Sequence, residues 1–148
     1  MSINWCIFSI QRLRDYEARK EAIESLTEQI ELLEDKFTAI RSATTDSTPV
    51  QGGNENRREQ MLIHNIATRE ELQTNLEIAK SEVEITEKGL AALTENERKI
   101  LQRFYITRSK GYVERLCDEL YISKTELYRQ KEDALKRFTM VCYGIVEL

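Results

Sequence analysis

Hydrophobic residues in the first part of the chain recur at alternating intervals of three and four positions. The repeat runs from about residue 10 to 41, and mainly Glu, Lys, Arg, Gln and Ser occupy the positions between. The apolar seam consists of Tyr16, Ile23, Leu26, Ile30, Leu33, Phe37 and Ile40. A heptad seam of this kind predicts a long helix that packs against a partner helix as a coiled coil.

A second heptad segment follows from about residue 55 to 92. Its seam consists of Leu72, Leu76, Ala79, Val83, Thr86, Leu90 and Leu93. Between the two segments, residues 42–54 contain the only Pro, a Gly pair and few apolar side chains, which predicts a flexible loop. Two heptad helices of similar length joined by a loop are expected to fold back, so residues 1–92 are predicted to form a long antiparallel coiled-coil hairpin.

The last third of the chain carries start signals for shorter helices. Thr94 is followed three positions later by Glu97, and Ser123 by Glu126, which predicts two capping boxes and helices that begin near 95 and 124. A further helix is predicted at about 112–120, where apolar residues recur at three and four. Its apolar positions are Val113, Leu116, Cys117 and Leu120.

Only two residues separate this helix from the cap at Ser123. A turn that short forces the flanking helices to cross steeply, as in a helix-turn-helix. We therefore expect residues 93–148 to form a compact helix-turn-helix domain, and the whole chain to be all-α.

The helix predicted at 124–138 has two different faces. Its inner face is apolar, and its outer face near the start is basic and polar. The inner residues are Leu127, Ala134, Leu135 and Phe138, and the outer ones are Lys124, Thr125, Tyr128 and Arg129. In a helix-turn-helix the start of the second helix faces the bases of the major groove, where Arg and Lys can donate to guanine and Thr can touch a thymine methyl group.

Further basic residues are candidates for contacts to the DNA backbone, which set affinity more than sequence choice. These are Lys110, Arg115, Lys131, Lys136 and Arg137. The net charge of the chain is −4, but it is uneven. Residues 1–93 hold 11 basic and 17 acidic residues, a net of −6, whereas residues 94–148 hold 11 and 9, a net of +2. Only the second part is suited to a phosphate backbone.

Residues 93–138 resemble region four of bacterial sigma factors, which reads the −35 promoter element. Residues 93–101 are similar to that family's opening, Leu-Ser/Pro-Glu-Arg-Glu-Arg-x-Ile/Val-Leu, and residues 123–138 are similar to its second helix. The resemblance implies base reading by Lys124, Thr125 and Arg129, with Tyr128 at a backbone position. Thr125 stands where the family has an acid and Arg129 where it has Gln, so the family's base preference does not carry over.

The plan of a charged coiled coil followed by such a module resembles phage and prophage transcriptional regulators of the ArpU/RinA kind. The resemblance implies a sequence-specific DNA-binding activator of phage genes, in the cytoplasm of the bacterial host. It implies double-stranded DNA and RNA polymerase as partners. Ile78 and Ile85 lie one heptad apart and off the main seam. They suggest a second apolar stripe that needs another partner, such as a second copy of the chain in a homodimer formed through the coiled coil.

Two other functions stay open. One is a small terminase subunit for phage DNA packaging, although in those proteins the DNA module usually comes first. The other is a non-catalytic coiled-coil adaptor. Apolar residues also occur at both termini, from Trp5 to Ile10 and from Met140 to Leu148. The favoured interpretation is that they cover each other or the base of the hairpin, and the alternative is a dimer patch.

Nothing in the sequence predicts an enzyme, a metal site or a cofactor. His64 is the only histidine, and a lone histidine on a polar helix face is usually a surface residue. The Gly52-Gly53 pair lacks the Lys-Ser/Thr of a phosphate-binding loop. The three cysteines have no metal-ligand spacing and are expected to be free thiols in a reducing cytoplasm. No segment predicts a membrane span or a signal peptide.

Overall fold

The computed structural model describes residues 2–43 and 53–146, and within these ranges the protein is built from α-helices without any strand. The helices are α1 (Trp5–Ser42), α2 (Gly53–Ala91), α3 (Glu95–Leu101), α4 (Tyr112–Leu120) and α5 (Lys124–Tyr143). A π-helical turn, Gln102–Ile106, continues α3. The all-α prediction is confirmed. Most of the loop predicted at 42–54 lies outside the described residues.

The predicted helices are found, with two extensions. Helix α1 begins at Trp5 rather than near residue 10, because residues before the heptad seam pack on α5: the Ser9 and Thr139 hydroxyls are 2.6 Å apart and fully buried. Helix α5 continues past residue 138 to Tyr143. It ends at Gly144, whose positive φ of 67° suits a residue without a side chain.

Contacts divide the chain into two compact units, Met1–Lys20 with Ser81–Leu148, and Glu21–Lys80. Within Glu21–Lys80, α1 and α2 pack antiparallel: Ile40 lies across from Met61, and Ile30 from Gln73. Ile30, Leu76 and Ala79 of the predicted seams are buried here. The seam also holds a buried Asn65, whose side-chain N–H donates to the Leu33 carbonyl at 2.9 Å.

The other unit has two adjoining clusters of buried residues. The first joins the start of α1 and the end of α2, here called the base of the long helices, to the second half of α5. It contains Leu13, Leu90, Leu93, Leu101, Ala134, Leu135 and Phe138. The second joins α3 and its π-helical turn to α4 and the start of α5, and it contains Ile100, Phe104, Leu116 and Leu127. The predicted inner face of α5 is therefore buried as expected, with its four residues divided between the two clusters.

The contacts of residues 81–92 group them in one unit with the C-terminal helices. The sequence instead predicted a domain boundary between 92 and 93. The heptad seam runs through this segment without a break, so hydrophobicity alone could not indicate that Leu90 packs on α5. The approach of α2 to α5 is close, because a Cβ at Gly89 would lie 2.7 Å from the Phe138 ring. Whether the two predicted domains fold independently stays a prediction.

The terminal apolar residues cover each other only in part. The Trp5 ring lies 5.1 Å from the Tyr143 ring, centroid to centroid. Ile7 and Phe8 nevertheless remain 61% and 52% exposed. Leu148 lies outside the described residues. The predicted dimer patch at the termini therefore stays a prediction.

Candidate nucleic-acid interface

The helices that present the candidate site begin where the sequence predicted. At α3 both halves of the capping box form: the Glu97 N–H donates to the Thr94 hydroxyl at 3.2 Å, and the Thr94 N–H donates to the Glu97 carboxylate at 3.1 Å. At α5 the Glu126 N–H donates to the Ser123 hydroxyl at 3.2 Å. The Glu126 carboxylate bonds Arg129 and Gln130 instead of completing the second box.

The turn between α4 and α5 consists of three residues and contains a strained position. Tyr121 has a φ of 54°, in the left-handed region that costs an ordinary side chain about 1–2 kcal/mol. Its N–H and that of Ile122 both donate to the Cys117 carbonyl, which closes the end of α4. The Tyr121 side chain is 94% exposed at the tip of this turn.

Tyr121 is a candidate functional residue that the sequence analysis did not single out. Glycine is the usual residue at a left-handed helix end, so a tyrosine there retains a costly backbone conformation and an exposed aromatic ring. The sequence did contain a signal for Tyr121: a two-residue gap between helices favours glycine, and an aromatic residue stands there instead.

The leading turn of α5 is exposed. Lys124 and Thr125 are exposed, Tyr128 is 40% exposed, and the Arg129 side chain is 60% exposed. These four are the residues predicted to face DNA, and α5 brings them together within its first two turns. Thr125 and Arg129 are four positions apart, and Lys136 follows after seven more, so the three share one face of the helix.

Arg129 is tied to two carboxylates on its own helix. Its Nε donates to Glu126 at 2.9 Å, one terminal nitrogen also bonds Glu126, and the other donates to Asp133 at 2.9 Å. The hydrogen bond from Arg129, with a smaller contribution from that of Gln130, lowers the pKa of Glu126 to about 2. Glu126 in turn raises the pKa of Arg129. The pair is therefore fully charged at neutral pH.

The Tyr128 ring packs against the Phe104 ring and the Lys131 ammonium. Its ring meets the Phe104 ring edge-on, with centroids 5.8 Å apart. The Lys131 ammonium lies 5.4 Å from the Tyr128 ring and 5.5 Å from the Phe104 ring, and it pairs with Glu132 at 3.0 Å. The Lys131 side chain is only 17% exposed. Lys131 is therefore largely buried against these two rings, and its contact with DNA stays a prediction.

Other cations differ in how far they are already engaged. Among the residues that the structure describes, no carboxylate pairs with Lys124, Arg115, Lys136 or Lys110, all of which are exposed. Arg137 is engaged, because it pairs with Glu97 at 2.7 Å and so ties α5 to the start of α3. The unpaired cations are the ones that can meet phosphates without first losing a partner.

The described residues hold no group of three or more His, Cys, Asp or Glu side chains arranged to bind a metal ion. The three cysteines are unpaired and half-buried, and burial raises the pKa of Cys142 to about 11. His64 is exposed beside Leu33 and Met61. In the same ranges, no helix is both long and apolar enough to span a bilayer.

Comparison with known proteins gives one match. The sequence model of a family described as a protein of unknown function, DUF1492, matches residues 39–139, more than half of the chain. The matched range includes α2 as well as α3, α4 and most of α5, so it covers every residue of the candidate interface. No curated protein matches the chain, and no solved structure does.

Proposed function

We propose that this chain, which belongs to the DUF1492 family of proteins of unknown function, binds double-stranded DNA in a sequence-specific manner and regulates transcription. The observation that carries the proposal is the exposed leading turn of α5. A three-residue turn separates it from α4, and Lys124, Thr125 and Arg129 are exposed in its first two turns. An α-helix of this kind fits the major groove, where its first residues meet base edges.

Contacts to the DNA backbone would come from the unpaired cations. Arg115 on α4 and Lys136 on α5 are exposed and have no ion pair among the described residues. Tyr121, at the tip of the turn and three positions before Lys124, adds an exposed hydroxyl donor. Each phosphate neutralised by Lys or Arg releases counterions, so binding should weaken steeply with salt.

The regulatory part of the proposal draws on the sigma-region-four resemblance of residues 93–138. A module of that kind acts beside RNA polymerase, and the resemblance to phage regulators favours activation of phage genes. One chain presents one α5. A homodimer would present two, which suits a palindromic site. Ile78 supports such a dimer, because it is 56% exposed on a helix whose main seam is already occupied.

The direct test is selection of bound duplexes from a random pool by the full chain at two salt concentrations. We expect a recurrent motif that persists at the higher salt. A variant with Lys124→Ala and Arg129→Ala should lose about 2–5 kcal/mol of specific binding. The matched control is Lys80→Ala with Arg57→Ala, which removes the same charge from exposed positions on α2.

Recovery of no motif at either salt would overturn the proposal. Equal losses from both double variants would also overturn it, because the effect would then be one of net charge alone. Light scattering on the same sample addresses the packaging alternative, since a ring of many subunits favours a terminase and a monomer or dimer favours a regulator.

A further inference from the structure

The hydrogen bonds of Arg129 leave a defined pair of donors unused. A guanidinium has five N–H groups, one on Nε and two on each terminal nitrogen. Glu126 takes the Nε–H and one N–H of a terminal nitrogen, and Asp133 takes one N–H of the other. One N–H therefore remains on each terminal nitrogen. Two donors, one on each terminal nitrogen, match in number a ligand that offers two acceptors.

We propose that Arg129 reads a guanine in the major groove, and that Glu126 and Asp133 are positioning residues that present its two remaining donors. This inference rests on the proposed function and names the base that the site recognises. Guanine O6 and N7 are adjacent acceptors on the major-groove edge, and bidentate donation by Arg to them is the commonest specific contact to a base.

Charge argues for a base and against a phosphate as the partner of Arg129. Glu126, Arg129 and Asp133 together carry a net charge of −1, which repels the DNA backbone. Lys124 and Lys136, exposed on the same helix, carry their positive charge without a carboxylate partner among the described residues. Two carboxylates beside one arginine would be a poor arrangement for phosphate binding, whereas a base edge carries no formal charge.

Glu126, which bonds Arg129, is itself fixed by further hydrogen bonds. The Glu126 N–H is bonded to the Ser123 hydroxyl, and the Gln130 side chain donates to the Glu126 carboxylate at 3.1 Å. The hydrogen bonds from Arg129 and Gln130 lower the pKa of Glu126 to about 2, so its carboxylate stays ionised even in mild acid. An arginine already fixed in direction loses less side-chain entropy when it binds, which favours the geometry of a bidentate contact.

The test compares motifs selected from a random duplex pool by the full chain and by variants at positions 126, 129, 132 and 133. Arg129→Gln removes the guanidinium donors, and a Gln side chain matches the major-groove edge of adenine rather than that of guanine, so the preference for guanine at one motif position should fall about tenfold. Glu126→Gln with Asp133→Asn should lower that preference about threefold to tenfold, while binding to non-specific duplex becomes tighter.

The control is Glu132→Gln, which removes a negative charge from the same helix without touching Arg129, because Glu132 pairs with Lys131. It should tighten non-specific binding and leave the guanine preference unchanged. Far-UV circular dichroism and thermal melting of every variant establish that each is folded before selection. Arg129→Gln is an exposed substitution and is expected to fold as the parent does.

The outcomes separate the two proposals. If the parent chain selects a motif but Arg129→Gln selects the same motif, the guanine assignment is overturned and DNA binding stands. If the Glu126→Gln and Asp133→Asn variant keeps or sharpens its guanine preference, the carboxylates only sequester Arg129, and their positioning role is overturned. If the parent chain selects nothing, the proposed function fails and this inference with it.

Discussion

The buried pair Ser9 and Thr139 allows a quantitative test of how the start of α1 is held on α5. Both side chains are fully buried, and their hydroxyl oxygens are 2.6 Å apart. The Thr139 hydroxyl also donates to the Leu135 carbonyl at 2.7 Å. Since that hydroxyl has one proton, Ser9 must donate to Thr139, and the two residues are not equivalent.

The asymmetry predicts unequal costs of substitution. Ser9→Ala removes one hydrogen bond but leaves the Thr139 proton bonded to Leu135, so the free energy of unfolding should fall by about 1 kcal/mol. Thr139→Val removes the acceptor and leaves the Ser9 hydroxyl buried without its partner, which should cost about 2–3 kcal/mol. The double variant replaces both groups by apolar ones, so it should be more stable than Thr139→Val alone, by about 1 kcal/mol.

The assay is urea unfolding followed by far-UV circular dichroism for the parent, both single variants and the double variant, at one protein concentration. Fitted slopes should agree among the four proteins, so that midpoints report stability. The reasoning is refuted if Thr139→Val costs no more than Ser9→Ala, because Ser9 then finds another acceptor in its own helix. It is also refuted if the double variant is the least stable of the four.

Three further changes test other parts of the structure. Gly89→Ala should lower stability by about 1 kcal/mol in the same unfolding assay, because the overlap with the buried Phe138 ring outweighs the better helix propensity of alanine; a gain would contradict the close approach. Tyr121→Gly should raise the melting temperature by relieving the left-handed backbone, by about 1 kcal/mol in free energy, and a decrease would mean that the exposed ring stabilises the turn. The folded pKa of Glu126, about 2, lies below its ordinary 4.5, so the stability that its bond to Arg129 adds is complete above pH 4.5 and disappears as the pH falls towards 2. Urea midpoints of the parent and of Glu126→Gln should therefore converge in that interval, and a constant difference would rule out this linkage.

Local signals in the sequence were sufficient for the starts of α3 and α5 and for the inner face of α5. Thr94 and Ser123 are hydroxyl residues at a fixed distance before Glu, and a cap depends only on residues within one turn. The burial of Leu127 and Phe138 follows from helical periodicity, which any packed helix must obey.

Long-range contacts were beyond those signals. The sequence predicted Lys131 as a DNA contact. It could not indicate that the Lys131 ammonium lies against the Tyr128 and Phe104 rings, because Phe104 is 27 positions away in the π-helical turn. The pairing of Arg129 with Glu126 and Asp133 does follow helical spacing of three and four, so it was open to prediction. The predicted capping box used the Glu126 carboxylate for the Ser123 N–H, whereas in the structure this carboxylate bonds Arg129 and Gln130.

The division of α5 between two clusters explains why its outer face has a fixed direction. Leu127 packs against α4 near the start of the helix, and Phe138 packs against the base of the long helices three turns later. Two buried anchors about 16 Å apart on one rigid helix determine its rotation about its own axis. The side on which Thr125 and Arg129 stand is therefore set in part by contacts with Leu13 and Leu90 of the long helices. The base of the long helices therefore contributes to the candidate interface as much as α4 does, because its contacts determine which side chains of α5 are exposed to solvent.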